Sequence, residues 1–360
     1  MRILFIIPTL DRSGAEKQLV LLAPGLVREG FDVHVCALTR GGPYEKALQD
    51  AGVPLTILGK SWKVDPFAYR RLKSQIASLK PDVVQTCLFA ANSYGRAAAL
   101  STGVKRVFGG ERCVDPWKQW HELTIDRYLT RRSTAVVVNS GGVRDFYLKH
   151  GIPADKLRVI ANGIGPAPPS DVTRSQLLAE LGLPADTRII AAVNRLWQQK
   201  RVKDLIWAAD LLKVVRDDVH LLIIGDGPHR QRLERYRDQV RIRDRVHFLG
   251  LRHDVPRLMP HFDCLWLASA YEGLPNSVME AMACGVPVVA TDIPGNRDLV
   301  VHGQTGYLVP IGDRAGFARQ TNRLLDDAVL AKRLGDAGRD RIERDFSVER
   351  MVRAYAELYA

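Results

Sequence analysis

Two glutamates, Glu272 and Glu280, stand eight positions apart in the stretch SAYEGLPNSVMEAMACGVPV, with Gly273, Leu274, Pro275, Asn276 and Ser277 between them. Glutamate is seldom buried without a partner, yet these two border the apolar residues Val278, Met279, Ala281 and Met282. Pro275 suits only the first turn of a helix, which Asn276 or Ser277 would cap. Gly285 would close that helix in the left-handed conformation, with Pro287 two residues beyond. Glu272 then lies in a loop after the apolar run CLWLAS, and Glu280 lies one turn into a helix. A helix start binds anions through its exposed N–H groups, and Gly273 lets the chain approach a ligand closely. A carboxylate there needs a different partner, and the two hydroxyls of a vicinal diol supply one. Upstream, Arg195 and Lys200 follow the apolar run RIIAAVN. The chain has no D-x-D sequence, and its nine histidines form no H-x-x-x-H pair, so no metal and no cofactor are expected.

These residues need a scaffold that delivers loops to one place. Short unbroken runs of Val, Ile and Leu alternate with amphipathic stretches along the chain: RILFIIPTL, FDVHVCALT, PDVVQTCL, VKRVFGG and TAVVVNS, then RIIAAVN, HLLIIGDG, VHFLG, CLWLAS, PVVATD and GYLVP. Unbroken apolar runs indicate strands buried on both faces, and strand–helix alternation implies a parallel sheet. The Gly/Pro/Ser-rich segment NGIGPAPPSDVTRS interrupts the series. The expected organisation is α/β, two Rossmann-like doubly wound domains facing a central cleft. The first spans 1–165, a linker 166–185, the second 186–343, and a helix in 344–360 packs back on the first. Ligands bind beyond the carboxyl ends of the strands in such sheets.

With 360 residues, 46% hydrophobic and 26% charged, the composition is that of a soluble globular protein. The N-terminal apolar run is too short for a signal peptide or a membrane helix. Five cysteines without a C-x-x-C pair fit a reducing cytoplasm. The net charge of +12 is uneven: residues 1–165 hold 24 Lys and Arg against 14 Asp and Glu, the remainder 28 against 26. The basic first half suits a polyanion or simply a solvated face. FAYRRLKSQIASLK and DPWKQWHELTIDRYLTRR combine basic and aromatic residues, as a membrane interface would; packing on the sheet is the other use for those aromatics, Trp120 above all. No nucleic-acid-binding module is recognisable, and neither SGAEKQ nor GDGPHR fits the dinucleotide fingerprint of an oxidoreductase.

The segment EGLPNSVMEAMACGVPVVATDIPGNRDLV, continuing to GQTGYLVP, resembles the E-x7-E signature of glycosyltransferase family 4. SGAEKQL, VVNSGGVRDFYLKHGIPADKLRVIANGI, VNRLWQQKRVKDLIWA and LLIIGDGPHRQRLE are similar to further family motifs, so the resemblance covers nearly the whole chain. It implies a GT-B fold and retaining transfer of a hexose or N-acetylhexosamine from a nucleotide-diphosphate sugar, a UDP-sugar by preference. The acceptor would be a glycan or lipid-linked sugar in polysaccharide, lipopolysaccharide or glycolipid biosynthesis. The setting would be cytoplasmic, on or near an anionic membrane surface. Arg195 and Lys200 would hold the diphosphate, where two fixed cations suit a leaving group whose charge grows in the transition state. Lys203 is a neighbouring candidate ranked behind Lys200. Glu280 would hold the ribose, and Glu272 the donor sugar. Backbone groups of Gly273, Leu274, Pro275, Asn276 and Ser277 would serve sugar and phosphates. Gly14 would let its loop close over the diphosphate, and Gly225 would line the nucleotide pocket. Departures are Ser13-Gly14 for Gly-Gly, Asn194 and Arg201 for two glycines, and no histidine on the first-domain loops. Glu111 and Arg112, with His121 behind them, are the acceptor-side candidates for that histidine's role. A GT-B sugar-nucleotide epimerase and a catalytically inactive nucleotide-sugar binder are the alternatives.

Overall fold

A computed structural model describes residues 1–360, which divide into two units: Met1–Gly163 with Val348–Ala360, and Ile164–Ser347. In the first unit, β1 (Arg2–Ile7), α1 (Gly14–Arg28), β2 (Asp32–Ala37), α2 (Glu45–Asp50), β3 (Leu55–Ile57), α3 (Pro66–Leu79) and β4 (Val83–Thr86) are followed by α4 (Phe89–Ser101), β5 (Arg106–Glu111), α5 (Trp120–Arg132), β6 (Ala135–Val138), α6 (Gly141–Lys149) and β7 (Leu157–Val159). All seven strands are parallel, in the order β3-β2-β1-β4-β5-β6-β7. Ile3, Phe5 and Ile7 pack on one face and Leu4 and Ile6 on the other, so the unbroken apolar run of β1 feeds two cores.

The second unit contains α7 (Arg174–Glu180), β8 (Arg188–Val193), α8 (Val202–Lys213), β9 (Val219–Ile224), α9 (Arg230–Gln239), β10 (Val246–Gly250), α10 (Val255–Leu258) and β11 (Cys264–Leu267). It continues with α11 (Asn276–Ala283), β12 (Val288–Thr291), α12 (Pro294–Arg297), β13 (Tyr307–Val309), α13 (Arg314–Asp326) and α14 (Ala328–Asp345). Its six parallel strands run β10-β9-β8-β11-β12-β13. Both sheets are Rossmann-like. In each, the strand order reverses beside the first strand, at β1/β4 and at β8/β11, and such switch points are where open parallel sheets hold ligands.

The structure differs from the sequence reading in places. The segment 166–185 is not a plain linker. It contains α7, whose start is fixed by a capping box between Thr173 and Gln176 and whose Leu177 and Leu178 are buried within the second unit. β3 and β7 are three-residue edge strands with too few apolar residues to stand out. Trp120 is not a core residue: it is 78% exposed, and Phe67 and Trp117 also lie open. No helix is long and apolar enough to cross a membrane.

The last helix, α15 (Val348–Tyr359), belongs to the first unit and supplies Met351, Val352, Tyr355 and Tyr359 to its core. Gly25 makes this fit possible, since a Cβ there would lie 2.3 Å from Val352 Cγ2. The Tyr359 ring packs on Phe5 and Phe108, and its hydroxyl donates to Gln85 Oε1 at 3.0 Å in the buried interior. Tyr359→Phe leaves that oxygen without its donor and is expected to lower unfolding stability by about 1–3 kcal/mol in urea titrations.

Candidate functional site

The second sheet's switch point gathers most of the expected residues. Arg195 follows β8 and is exposed; a 3-10 turn, Gln198–Lys200, comes next and ends on Lys200. Neighbouring β11 leads into the loop that carries Glu272, which is only 7% exposed. The two loops are joined through Gln199, whose carbonyl accepts from Ala270 N at 2.9 Å and whose Nε2 donates to Tyr271 O at 2.7 Å. Lys200 Nζ then donates to Glu272 Oε1 in a largely buried ion pair. The sequence separates these two by function; the structure places them in contact. Gln199 is the residue that sequence reasoning passed over, because nothing in QQK distinguishes a clamp from a surface glutamine.

α11 starts as the proline signal suggests, but neither Asn276 nor Ser277 caps it. Pro275 occupies the N-cap position, without a side-chain cap. Gly273, Leu274 and Pro275 are buried, while Asn276, Ser277 and Glu280 are partly exposed. Gly285 closes the helix at φ 71°. Gly295, in α12, lies so close behind the loop that a Cβ would come 2.1 Å from Gly273 O. Behind it, Thr291 Oγ1 donates to Ser269 O at 2.6 Å, and Asn296 Nδ2 donates to Thr291 O at 2.8 Å. The Glu272 loop is thus held from both sides. Gly225 follows β9 at φ 132°, and a Cβ there would fall 2.0 Å from Asn194 O. Only glycine lets the β8 and β9 ends come so near. Lys203 sits instead over the Tyr236 ring, 4.4 Å from its centroid.

In the first unit, Gly14 is exposed and opens α1 directly. Glu111, at the end of β5, is 3% exposed and lies inside a charged network. It accepts from Lys118 Nζ at 3.0 Å and Asn92 Nδ2 at 2.9 Å; Asp126 accepts from Lys118 at 2.8 Å and Arg96 at 2.7 Å. Asp115 Oδ2 lies 3.6 Å from Lys118 Nζ and accepts from Tyr147 OH at 3.3 Å. Arg112 turns away from this network and donates to Asn162 Oδ1 at 2.8 Å and Tyr355 OH at 3.3 Å. His121 stands edge-on to Trp120 on α5. The three acceptor-side candidates therefore do not form one cluster.

Comparison with known proteins follows the same division. Residues 12–167 match the family described as Glycosyltransferase Family 4, and residues 173–341 match Glycosyl transferases group 1. The chain belongs to the family 4 glycosyltransferases. It is 34% identical over 186 residues to N-acetyl-alpha-D-glucosaminyl L-malate synthase of Bacillus anthracis, a match spanning 51% of this chain and about half of that relative, 48%. It is 26% identical over 349 residues to the lipopolysaccharide core biosynthesis glycosyltransferase LpsD of Rhizobium meliloti, covering 96% and 95% of the two chains. In fold it is similar to Anabaena Alr3699/HepE, solved in complex with UDP and glucose, with a TM-score of 0.89, 23% identity and 99% of both chains covered.

One departure of the chain from the family pattern has a visible consequence in the backbone. Arg201, standing for a glycine, takes the left-handed conformation at φ 48°. A side chain there costs roughly 1 kcal/mol, offset in part by the bond from Arg201 Nε to Asp204 Oδ2 at 2.7 Å. The network around Lys118 has three carboxylates for two cations, Lys118 and Arg96. Burial opposes the Lys118 charge, but Glu111 and Asp126 outweigh it and keep the amine protonated. The surplus carboxyl is Asp115: burial, reinforced by the Glu111 charge, pushes it up to about 7. A carboxyl raised in the folded state holds its proton where the unfolded chain has lost it. Stability from this group is therefore complete below its ordinary pKa, near 3.8, and falls as pH rises to about 7. Asp115→Asn should be the more stable protein at pH 8. It should also remove a slope of up to about 1.4 kcal/mol per pH unit between pH 4 and 7 in urea titrations.

Proposed function

We propose that this glycosyltransferase moves a hexose or N-acetylhexosamine, with retention of configuration, from a nucleoside-diphosphate sugar to a glycan or lipid-linked acceptor. A UDP-sugar is the preferred donor, and the product belongs to cell-surface polysaccharide, lipopolysaccharide or glycolipid synthesis. The observation that carries this reading is the convergence of Arg195, Lys200, Glu272 and the start of α11 at the second sheet's switch point. The UDP and glucose bound by the Anabaena protein and the lipopolysaccharide role of the Rhizobium relative support it.

In this scheme Arg195 and Lys200 take the diphosphate. As the bond between the anomeric carbon and the diphosphate oxygen breaks, negative charge collects on that oxygen, and both cations stabilise it more than they do the intact donor. The two cations do the neutralising, and the scheme uses no metal. Glu280 accepts the ribose hydroxyls; Glu272, released from Lys200, accepts hydroxyls of the donor sugar. N–H groups of the 273–277 segment serve sugar and phosphates, and Gly225 lines the nucleotide pocket. The exposed Trp62, Phe67, Trp117 and Trp120, with Arg70, Lys73, Arg131 and Arg132 nearby in sequence, support peripheral contact with an anionic membrane from the cytoplasmic side.

A thermal-shift screen of UDP-, GDP- and ADP-sugars tests the donor assignment, since a ligand that prefers the folded state raises Tm. UDP-sugars are expected to give the largest rise, and Glu280→Ala to abolish it. A variant stabilised as strongly as wild type removes Glu280 from the ribose. With the donor so identified, Arg195→Ala or Lys200→Ala should lower kcat for donor turnover by about 10²-fold or more; an unchanged kcat removes the residue from the chemistry.

A further inference from the structure

Four neighbouring strands of the first sheet end in one polar cluster. β4 runs into Cys87, β5 into Arg112, β6 into Asn139, and β7 is followed closely by Asn162. Arg112 is partly buried there, and its charge is treated unlike the other cations of this interior. Arg96 lies 2.7 Å from Asp126, and Lys118 is shared among three carboxylates. Arg112 forms no ion pair: its side chain is hydrogen-bonded to neutral groups only, the oxygens of Asn162 and Tyr355 and the thiol of Cys87. The Cys87 thiol beside it is kept protonated by burial. The carboxylates that act on that thiol are engaged elsewhere, Glu111 with Lys118 and Asn92, and Glu16 with Thr9 and Ser13.

A guanidinium offers five N–H donors and pairs best with an oxyanion that accepts two of them. Withdrawing such a charge from water without a counter-ion costs stability, and folded chains rarely keep one without a use. The same cluster has an unmet acceptor. Asn139 is 2% exposed, and its Nδ2 donates to Arg112 O at 3.1 Å, yet its Oδ1 has no donor. One ligand carrying an oxyanion and a neighbouring hydroxyl satisfies both groups.

We infer that Arg112 binds a phosphate group of the acceptor and Asn139 an adjacent hydroxyl, so that the acceptor is a phosphorylated sugar. The inference rests on the transferase reading for the word acceptor, and on the first unit alone for the phosphate. Phosphate is chosen over carboxylate because it brings up to two negative charges to the half of the chain that holds 24 basic and 14 acidic residues. The phosphate is supplied either by a soluble sugar 1-phosphate or by a lipid diphosphate.

The test titrates the full chain, with and without UDP, against glucose 1-phosphate, a short-chain prenyl diphosphate glucose, methyl glucoside and L-malate. At least one phosphorylated probe should bind tenfold or more tighter than methyl glucoside, and the tighter arm names the source. Arg112→Gln should lose that margin and Arg112→Lys keep part of it, with UDP binding unchanged in both. In phosphate-free buffer Arg112→Gln should melt no lower than wild type, because an unpaired charge has gone; a residue serving only its hydrogen bonds to neutral neighbours would lower Tm and leave probe binding intact. Equal binding of methyl glucoside, tighter Arg112-dependent binding of L-malate, or loss of UDP binding in the variant each overturns the assignment. If wild type binds the phosphorylated probes but no nucleotide, the donor reading fails and the phosphate site stands.

Discussion

In a parallel sheet every strand hands its next loop to the same edge, and a crevice opens only where neighbouring crossovers depart to opposite faces. That constraint places the candidate site of the second unit. Arg195 and Lys200 follow β8, Glu272 follows β11, and these are the two strands between which the order reverses. Some seventy residues separate the partners along the chain, yet adjacent strand ends bring them within one ion pair. The first unit obeys the same rule with its own polar groups, gathered on β4 to β7.

The supports around the site are as specific as the site. Gln199 ties the Lys200 turn to the Glu272 loop with two hydrogen bonds, and α12 backs the loop through Gly295. Thr291 and Asn296 tie the loop's base to β12. Interior packing leaves such a loop few alternative positions. These supports fix the position of the Lys200 turn and the Glu272 loop, and hold Lys200 against Glu272.

Much of this was legible in the sequence because it is written locally. Unbroken Val/Ile/Leu runs marked the buried strands, Pro275 and Gly285 bracketed α11, and the spacing of Glu272 and Glu280 tied both to one loop and helix. What stayed hidden depends on distance in space. β3 and β7 are edge strands of three residues, too short to generate a pattern. α7 lies in a stretch whose prolines and serines read as linker, and only the Thr173–Gln176 box announces it. Glu111 and Arg112 are consecutive, so sequence could not tell that one enters a buried charge network and the other leaves it. Trp120 could be assigned to core or surface by type alone, and burial decided for the surface.

Under the proposed scheme the Lys200–Glu272 pair would also act as a filter on small ions. A simple anion such as inorganic phosphate can attract Lys200 only by drawing it from Glu272, leaving a carboxylate in a poorly hydrated place beside a second negative charge. A molecule that carries hydroxyls next to its phosphates would release the lysine and occupy the glutamate in one step. Mutual neutralisation of the two side chains would then make abundant cellular anions weak competitors, and reserve the crevice for ligands that satisfy both.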